Sequence, residues 1–292
     1  MALEVKKIDL FSDWANLVRQ NLSSQLFDVN GINNNEISIL HFTLKKRLIS
    51  NKSRKIHKSN VFTCPDNLQD GLKLLENKIE SGENLRPHQS RLLQDLENKD
   101  GLLFDWDIHH FHLGTVIESD GFINRTGPLL YALINEDNVY FIDILNHGQW
   151  TNQNLLSIIH QNWPDTIDNF RIKDSNVVGL EHNATDEEIN SMRKANINVL
   201  IEVQPGVIYI GPGGGLVASG HSGAAVSSHL DNLSNLKDLE NSIKADPEAF
   251  LQKLFPDLSS FVIEELDFEM KNNGAKYYLH ERNNNFEVIL NQ

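Results

Sequence analysis

The sequence predicts an α+β protein, with an N-terminal mainly helical region, a central antiparallel sheet with packed helices, and a C-terminal α+β module. Three observations carry that expectation. Leu10, Trp14, Leu17 and Val18 recur at helical spacing near the start. Apolar runs at 128–134 and 139–145 flank the turn Asn135-Glu136-Asp137-Asn138, the pattern of a β-hairpin. After Arg171, short helix and strand patterns alternate between asparagine-rich turns.

The elements follow in order. Residues 8–25 read as a helix, and 37–49 fit either a strand or a helix. Thr63-Cys64-Pro65-Asp66 is a turn that opens a helix through Leu72, Leu75 and Ile79, closed by the C-cap glycine of Ser81-Gly82. Arg86-Pro87-His88-Gln89-Ser90-Arg91 is expected to start another helix, ending near Asp100-Gly101. A strand over 104–115 joins the hairpin, and Leu155, Leu156, Ile158 and Ile159 then return to helical spacing until Trp163-Pro164. Beyond Arg171 come a strand at 177–180 and a helix capped by Thr185 with Glu188 three positions on. Strands at 198–203 and 207–210 surround Gln204-Pro205-Gly206. Helices at 224–233, 234–243 and 247–254 and strands at 266–270, 277–281 and 286–290 complete the chain. The expected domain boundaries are 1–100, 101–170 and 171–292.

Composition narrows the function classes. The 292 residues can bury a substantial core. No run approaches eighteen apolar residues, so no membrane partner is expected, and the N-terminus has no apolar stretch of signal-peptide type. Cys64 is the only cysteine, which excludes an intrachain disulfide and a cysteine-rich metal site; the simplest expectation is a cytoplasmic protein. A net charge of −14 argues against wholesale wrapping of nucleic acid. Yet 37–65 lacks acidic residues and holds Lys45, Lys46, Arg47, Lys52, Arg54, Lys55 and Lys58. Such a basic island can touch phosphates, with Arg54, Lys55 and Lys58 as candidate substrate contacts, or it can be a solvated face.

The sharpest chemical signal is Asp107-Ile108-His109-His110-Phe111-His112-Leu113. Strand alternation projects His110 and His112 with Ile108, and turns His109 inward with Phe111 and Leu113. Two imidazoles on one face can share a metal, move a proton or grip a phosphate. A metal would need a further ligand from Glu118, His147 or Asp143, and His-x-His followed by Glu resembles the cupin metal motif. An acid–base pair needs no metal or cofactor. Beside Arg125 and His147, which lie at the two ends of the hairpin, it can activate a ribose hydroxyl, protonate a leaving oxygen and steady a phosphorane. A polar sheet face with hydrogen-bonded histidines is the plain structural alternative.

Between 100 and 163, the order of strand, Arg125-led hairpin, His147 near the last strand end and helix resembles the RelE/HigB class of ribonuclease toxins. That resemblance covers about a fifth of the chain. It implies metal-independent RNA cleavage in a toxin or phage-defence setting, with His110, His112, Arg125 and His147 as catalytic candidates and RNA as partner. A metal-dependent hydrolase or cupin-like enzyme, and a non-catalytic protein that meets a partner through its C-terminal module, are the alternatives.

Two further motifs stand out. Arg86, His88 and Arg91 form a small polar cluster close in sequence to the histidine strand, and could make a second wall of the same site. Gly211-Pro212-Gly213-Gly214-Gly215, between a strand and a helical run, looks like a phosphate-cradling loop, with Gly213, Gly214 and Gly215 as anion contacts. It lacks the lysine of a P-loop and the spacing of a dinucleotide fingerprint. Ala218-Ser219-Gly220-His221-Ser222-Gly223 lacks the frame of a hydrolase elbow.

Overall fold

A computed structural model describes residues 3–254, 265–274 and 276–290. The fold is α+β. The chain opens with β1 (Glu4–Lys7), α1 (Leu10–Ser24) and α2 (Asn34–Arg47). Asp9 caps α1 by accepting from the Ser12 amide at 3.0 Å, and Leu10, Trp14, Ala15, Val18 and Leu22 form its buried stripe. The segment at 37–49, which fitted strand or helix, is helical. Then come β2 (Lys55–Lys58) and α3 (Gln69–Ser81), which ends at Gly82 in the left-handed region (φ 76°).

The helix expected from Arg86 does not form: 86–88 and 91–94 are single 3-10 turns. The next helix is α4 (Gly101–Trp106), capped by Asp100. It takes the first residues of the expected 104–115 strand. Asp107, at φ 59°, ends the helix, and β3 (Ile108–Phe111) holds only four residues. The hairpin is β4 (Pro128–Ile134) and β5 (Asn138–Asn146), followed by α5 (Asn154–Asn162), α6 (Asp186–Lys194), β6 (Ile201–Gln204) and β7 (Val207–Tyr209). Thr185 and Glu188 form the expected capping box on α6. The expected strand at 177–180 is instead a loop with Val178 85% exposed, so nothing buries its apolar residues. One helix, α7 (Gly223–Ala245), replaces the two expected at 224–243, and α8 (Pro247–Leu254), β8 (Glu265–Asn272), β9 (Tyr277–Glu281) and β10 (Phe286–Ile289) close the chain.

Two compact units result, 43–226 and a unit formed by 1–42 with 227–292, so the breaks differ from those expected at 100 and 170. The reason is pairing across long sequence separations. β1 pairs in parallel with β8, which ties the two ends of the chain into a sheet of order β1-β8-β9-β10. In the 43–226 unit, β2 pairs in parallel with β5, giving the order β2-β5-β4-β3. This sheet is buried on both faces. Phe111, Leu130, Ala132 and Phe141 pack with α3 residues Leu72, Leu75 and Ile79. Ile108, Leu129, Tyr131 and Ile142 pack with α5 and with Ile189, Ile201, Val207 and Tyr209. Residues 171–226 therefore belong to the histidine-bearing unit, and the expected C-terminal module is divided between the two units. Among the described residues, no helix is long and apolar enough to cross a membrane.

Candidate functional site

β3 is an edge strand, so a cavity beside it receives side chains from both sheet faces. A cavity of about 860 Å³ lies there, lined by His109, His110, His112, Arg125, His147 and Trp150, among others. His110, opposite Tyr131 in the β3–β4 register, lies on the Ile108 face with its ring centroid 4.8 Å from that of Trp150. His109 lies on the Phe111 face, with ring centroids 6.4 Å apart. It shares the Phe111 face as expected, but it is not withdrawn into the core: it lines the same cavity.

His112 falls just past the end of β3. Its amide donates to the His88 carbonyl at 2.8 Å, and its Nδ1 accepts from the Thr126 amide at 3.4 Å. That acceptor role places the ring proton on Nε2, so neutral His112 is a hydrogen-bond donor. The same turn fixes Arg125, an exposed cavity residue whose charge contributes to lowering the His112 pKa. His147 follows β5, and its amide donates to the Gly127 carbonyl at 3.2 Å, so the hairpin brings Arg125 and His147 to one end of the sheet. The His147 ring lies edge-on to Trp150 with centroids 5.0 Å apart. Trp150 thus contacts both His110 and His147.

Burial dominates the electrostatics of the β3 imidazoles. Burial pushes His112 to about 4, helped by His110 and Arg125, and burial pushes His109 to about 4 as well. Burial lowers the His110 pKa, opposed by the Asp100 charge and helped by His147. Their surroundings therefore favour the neutral rings of His110 and His112 at pH 7. Tyr131, beneath Trp150, is raised to about 12 by burial.

A buried ion pair supports this wall. Arg193 Nε donates to Asp105 Oδ2 at 2.8 Å, and its guanidinium lies 4.2 Å from the Trp106 ring centroid. Arg193 Nη1 also donates to the Trp150 carbonyl. Burial pushes the Asp105 carboxyl up, and the guanidinium pulls it back down. No sequence pattern pointed to this pair, whose members are 88 positions apart.

The other sequence candidates lie elsewhere or are otherwise engaged. β2 is three strand spacings from β3, about 14 Å across the sheet, so Lys55 and Lys58 lie away from the histidine strand, whereas Lys46 on α2 pairs with Asp107 at 2.7 Å, immediately before β3. Arg54 is buried and donates to the carbonyls of Asn135, Ser50 and Lys52. Lys58 pairs with Glu76, and Lys55 is exposed on β2. From the island, only Arg47 lines the cavity; its guanidinium donates to the Asp95 and Leu92 carbonyls. Arg91 pairs with Glu118 and Asp120 and is not a cavity residue; Arg86 is not one either. His88 is fully buried and its Nδ1 donates to the His112 carbonyl at 3.0 Å, which makes it a brace behind the site.

The glycine loop is also structural. The Gly213 and Gly215 amides donate to the Asp105 and Phe104 carbonyls at 2.8 and 2.9 Å, and the Gly214 amide donates to the Gly211 carbonyl at 3.0 Å. A Cβ at Gly213 would lie 2.4 Å from the Leu103 oxygen, so the glycine permits close approach to α4. With their amides engaged, Gly213, Gly214 and Gly215 do not form the expected anion cradle.

Of the metal candidates, Glu118 is held by Arg91, and Asp143 Oδ1 accepts from the Thr63 and Ile144 amides. Among the described residues, no group of three histidine, cysteine, aspartate or glutamate side chains is placed to hold a metal ion. No protein-family model, curated protein or solved structure matches this chain.

Proposed function

We propose that this cavity binds single-stranded RNA and that its histidine wall cleaves a phosphodiester bond without a metal. The observation that carries the reading is the inversion of charge at the cavity. In a chain of net charge −14, the described lining holds Arg47, Lys99, Arg125 and Lys194, four histidines and a single acid, Asp100, while a fifth cation, Arg193, is balanced by Asp105. An acidic protein that concentrates cations in one cavity selects an anionic ligand. A volume near 860 Å³ is within the usual range for a nucleotide-sized ligand.

The roles follow from proton positions. Neutral His110 takes the proton of the ribose 2′-hydroxyl as its oxygen bonds to phosphorus. His147, across Trp150, protonates the 5′-oxygen as the P–O5′ bond breaks, leaving a 2′,3′-cyclic phosphate and a 5′-hydroxyl. Arg125 and the His112 Nε2–H face the negative charge that grows on the phosphorane oxygens. This order of Arg125, hairpin and His147 is the pattern that resembles the RelE/HigB toxins, and it fits a cytoplasmic toxin or phage-defence setting.

The test is cleavage of single-stranded RNA with and without a chelator, with end-group analysis. Activity survives chelation and yields cyclic phosphate ends, and His110→Ala or His147→Ala each lowers kcat by about a hundredfold or more in folded protein. Activity lost to chelator and restored by zinc or manganese overturns the metal-free mechanism. One observation favours a second reading: His109 and His112, pushed to about 4, suit hydrogen bonding better than proton transfer at pH 7. RNA binding without cleavage selects that binding-only reading.

A further inference from the structure

The second glycine-rich stretch, 217–223, has no role in the chemistry above, yet it holds two cavity residues in place. It folds as a tight turn in which the Gly220 amide donates to the Val217 carbonyl at 2.7 Å and the Val217 amide donates to the His221 carbonyl at 3.0 Å. Lys99 Nζ donates to the Ser219 carbonyl at 3.1 Å, and Asn196 Nδ2 donates to the Ala218 carbonyl at 3.1 Å. Gly220 has φ 81°, and a Cβ there would stand 2.3 Å from Lys99 Nζ and 2.7 Å from Asn196 Oδ1. The missing side chain is what lets both polar groups converge on the turn. An ammonium has three donors, so Lys99 keeps two beyond its bond to Ser219.

Lys99, Lys194 and Asn196 all line the cavity that the histidines line. They come from elements separate from the hairpin that carries Arg125 and His147: Lys99 precedes α4, and Lys194 and Asn196 lie at the end of α6. Lysine at a helix end is favourable to the helix dipole, and a lysine tethering a turn is ordinary. Neither purpose requires both lysines to face one cavity. A strand with successive phosphates does meet two such cationic groups.

We propose that Lys99, Lys194 and Asn196 form a second anion subsite, which holds a phosphate neighbouring the one at the histidine wall. The substrate is then an oligonucleotide strand rather than a lone phosphodiester. This inference rests on the RNA reading above.

The experiment measures binding of the full chain to an uncleavable 2′-O-methyl oligonucleotide and to a dinucleotide with one phosphate, by fluorescence anisotropy across a salt series. Removal of one phosphate contact to a single strand corresponds to about a fivefold loss of affinity at 0.1 M salt and a decrease of about 0.7 in the log–log salt slope. Lys99→Ala and Lys194→Ala should each lower the ratio of oligonucleotide to dinucleotide affinity by about that factor. Gly220→Ala, by displacing Lys99 Nζ, should act in the same direction as Lys99→Ala. Lys194 is exposed at a helix end, so its variant keeps the test open if changes at Lys99 disturb the turn. An unchanged ratio and salt slope in Lys194→Ala and in folded Lys99→Ala overturns the subsite while leaving the RNA reading intact. Binding of neither ligand by the unmutated protein overturns both.

Discussion

Lowering the pH from 7 toward 4 is expected to destabilise the 43–226 unit strongly, and His88 allows the effect to be sized. Its ring is fully buried, its Nδ1 donates to the His112 carbonyl, and burial pushes its pKa from 6.5 to about 4. In the unfolded chain the same imidazole takes up a proton near pH 6.5. Between pH 6.5 and about 4 the unfolded state therefore binds more protons than the folded one, and stability falls as the pH falls. The contribution is intact above pH 6.5 and lost by about pH 4. At roughly 1.4 kcal/mol for each pH unit, His88 alone accounts for about 3 kcal/mol. His109 and His112, also pushed to about 4, act in the same direction over the same window. Against a typical domain stability of about 5–15 kcal/mol, this is a large fraction. The assay is urea unfolding at stepped pH, read by the fluorescence of Trp106, Trp150 and Trp163, for wild type and His88→Gln. Glutamine can still donate to the carbonyl but does not titrate. The variant should lose about 3 kcal/mol less than wild type between pH 7 and pH 4. Equal losses in the two proteins would refute the assignment of the acid sensitivity to His88.

Arg193→Ala should destabilise the same unit by about 3–5 kcal/mol, because it leaves the Asp105 carboxylate buried without its partner; a loss under about 1 kcal/mol in urea unfolding contradicts this. Replacing the pair together, by Asp105→Leu with Arg193→Met, should cost far less than Arg193→Ala alone, since neither charge is then stranded; a cost equal to that of the single variant would count against the ion-pair account. Gly213→Ala should cost about 1–3 kcal/mol through its clash with the α4 carbonyls while leaving RNA affinity in the folded protein within about twofold. Lost affinity without lost stability would restore the loop as an anion contact.

Local signals in the sequence determined much of the fold and the chief candidates of the site. The 3.6-residue apolar spacing marked α1, α3 and α5, the capping pair Thr185 and Glu188 marked α6, and the hairpin turn placed Arg125 and His147 at one sheet end. These features arise from contacts a few residues apart, which sequence spacing records directly. Helix and strand could not be separated at 37–49, and α4 took the first three residues of the expected histidine strand, because burial on several sides erases periodicity. Tertiary structure alone decided the rest. The parallel pairing of β2 with β5 carried Lys55 and Lys58 to the far edge of the sheet while α2 left Lys46 and Arg47 beside the histidine strand, and the pairing of β1 with β8 joined the two ends of the chain. The edge position of β3 let His109 share a cavity with His110, and folding across 88 positions brought Arg193 to Asp105. It also spent the Gly213 and Gly215 amides on α4 and lowered the histidine pKa values by removing the rings from water. Such contacts join residues far apart in the chain, and their energies depend on the desolvation and close approach that only the packed fold creates.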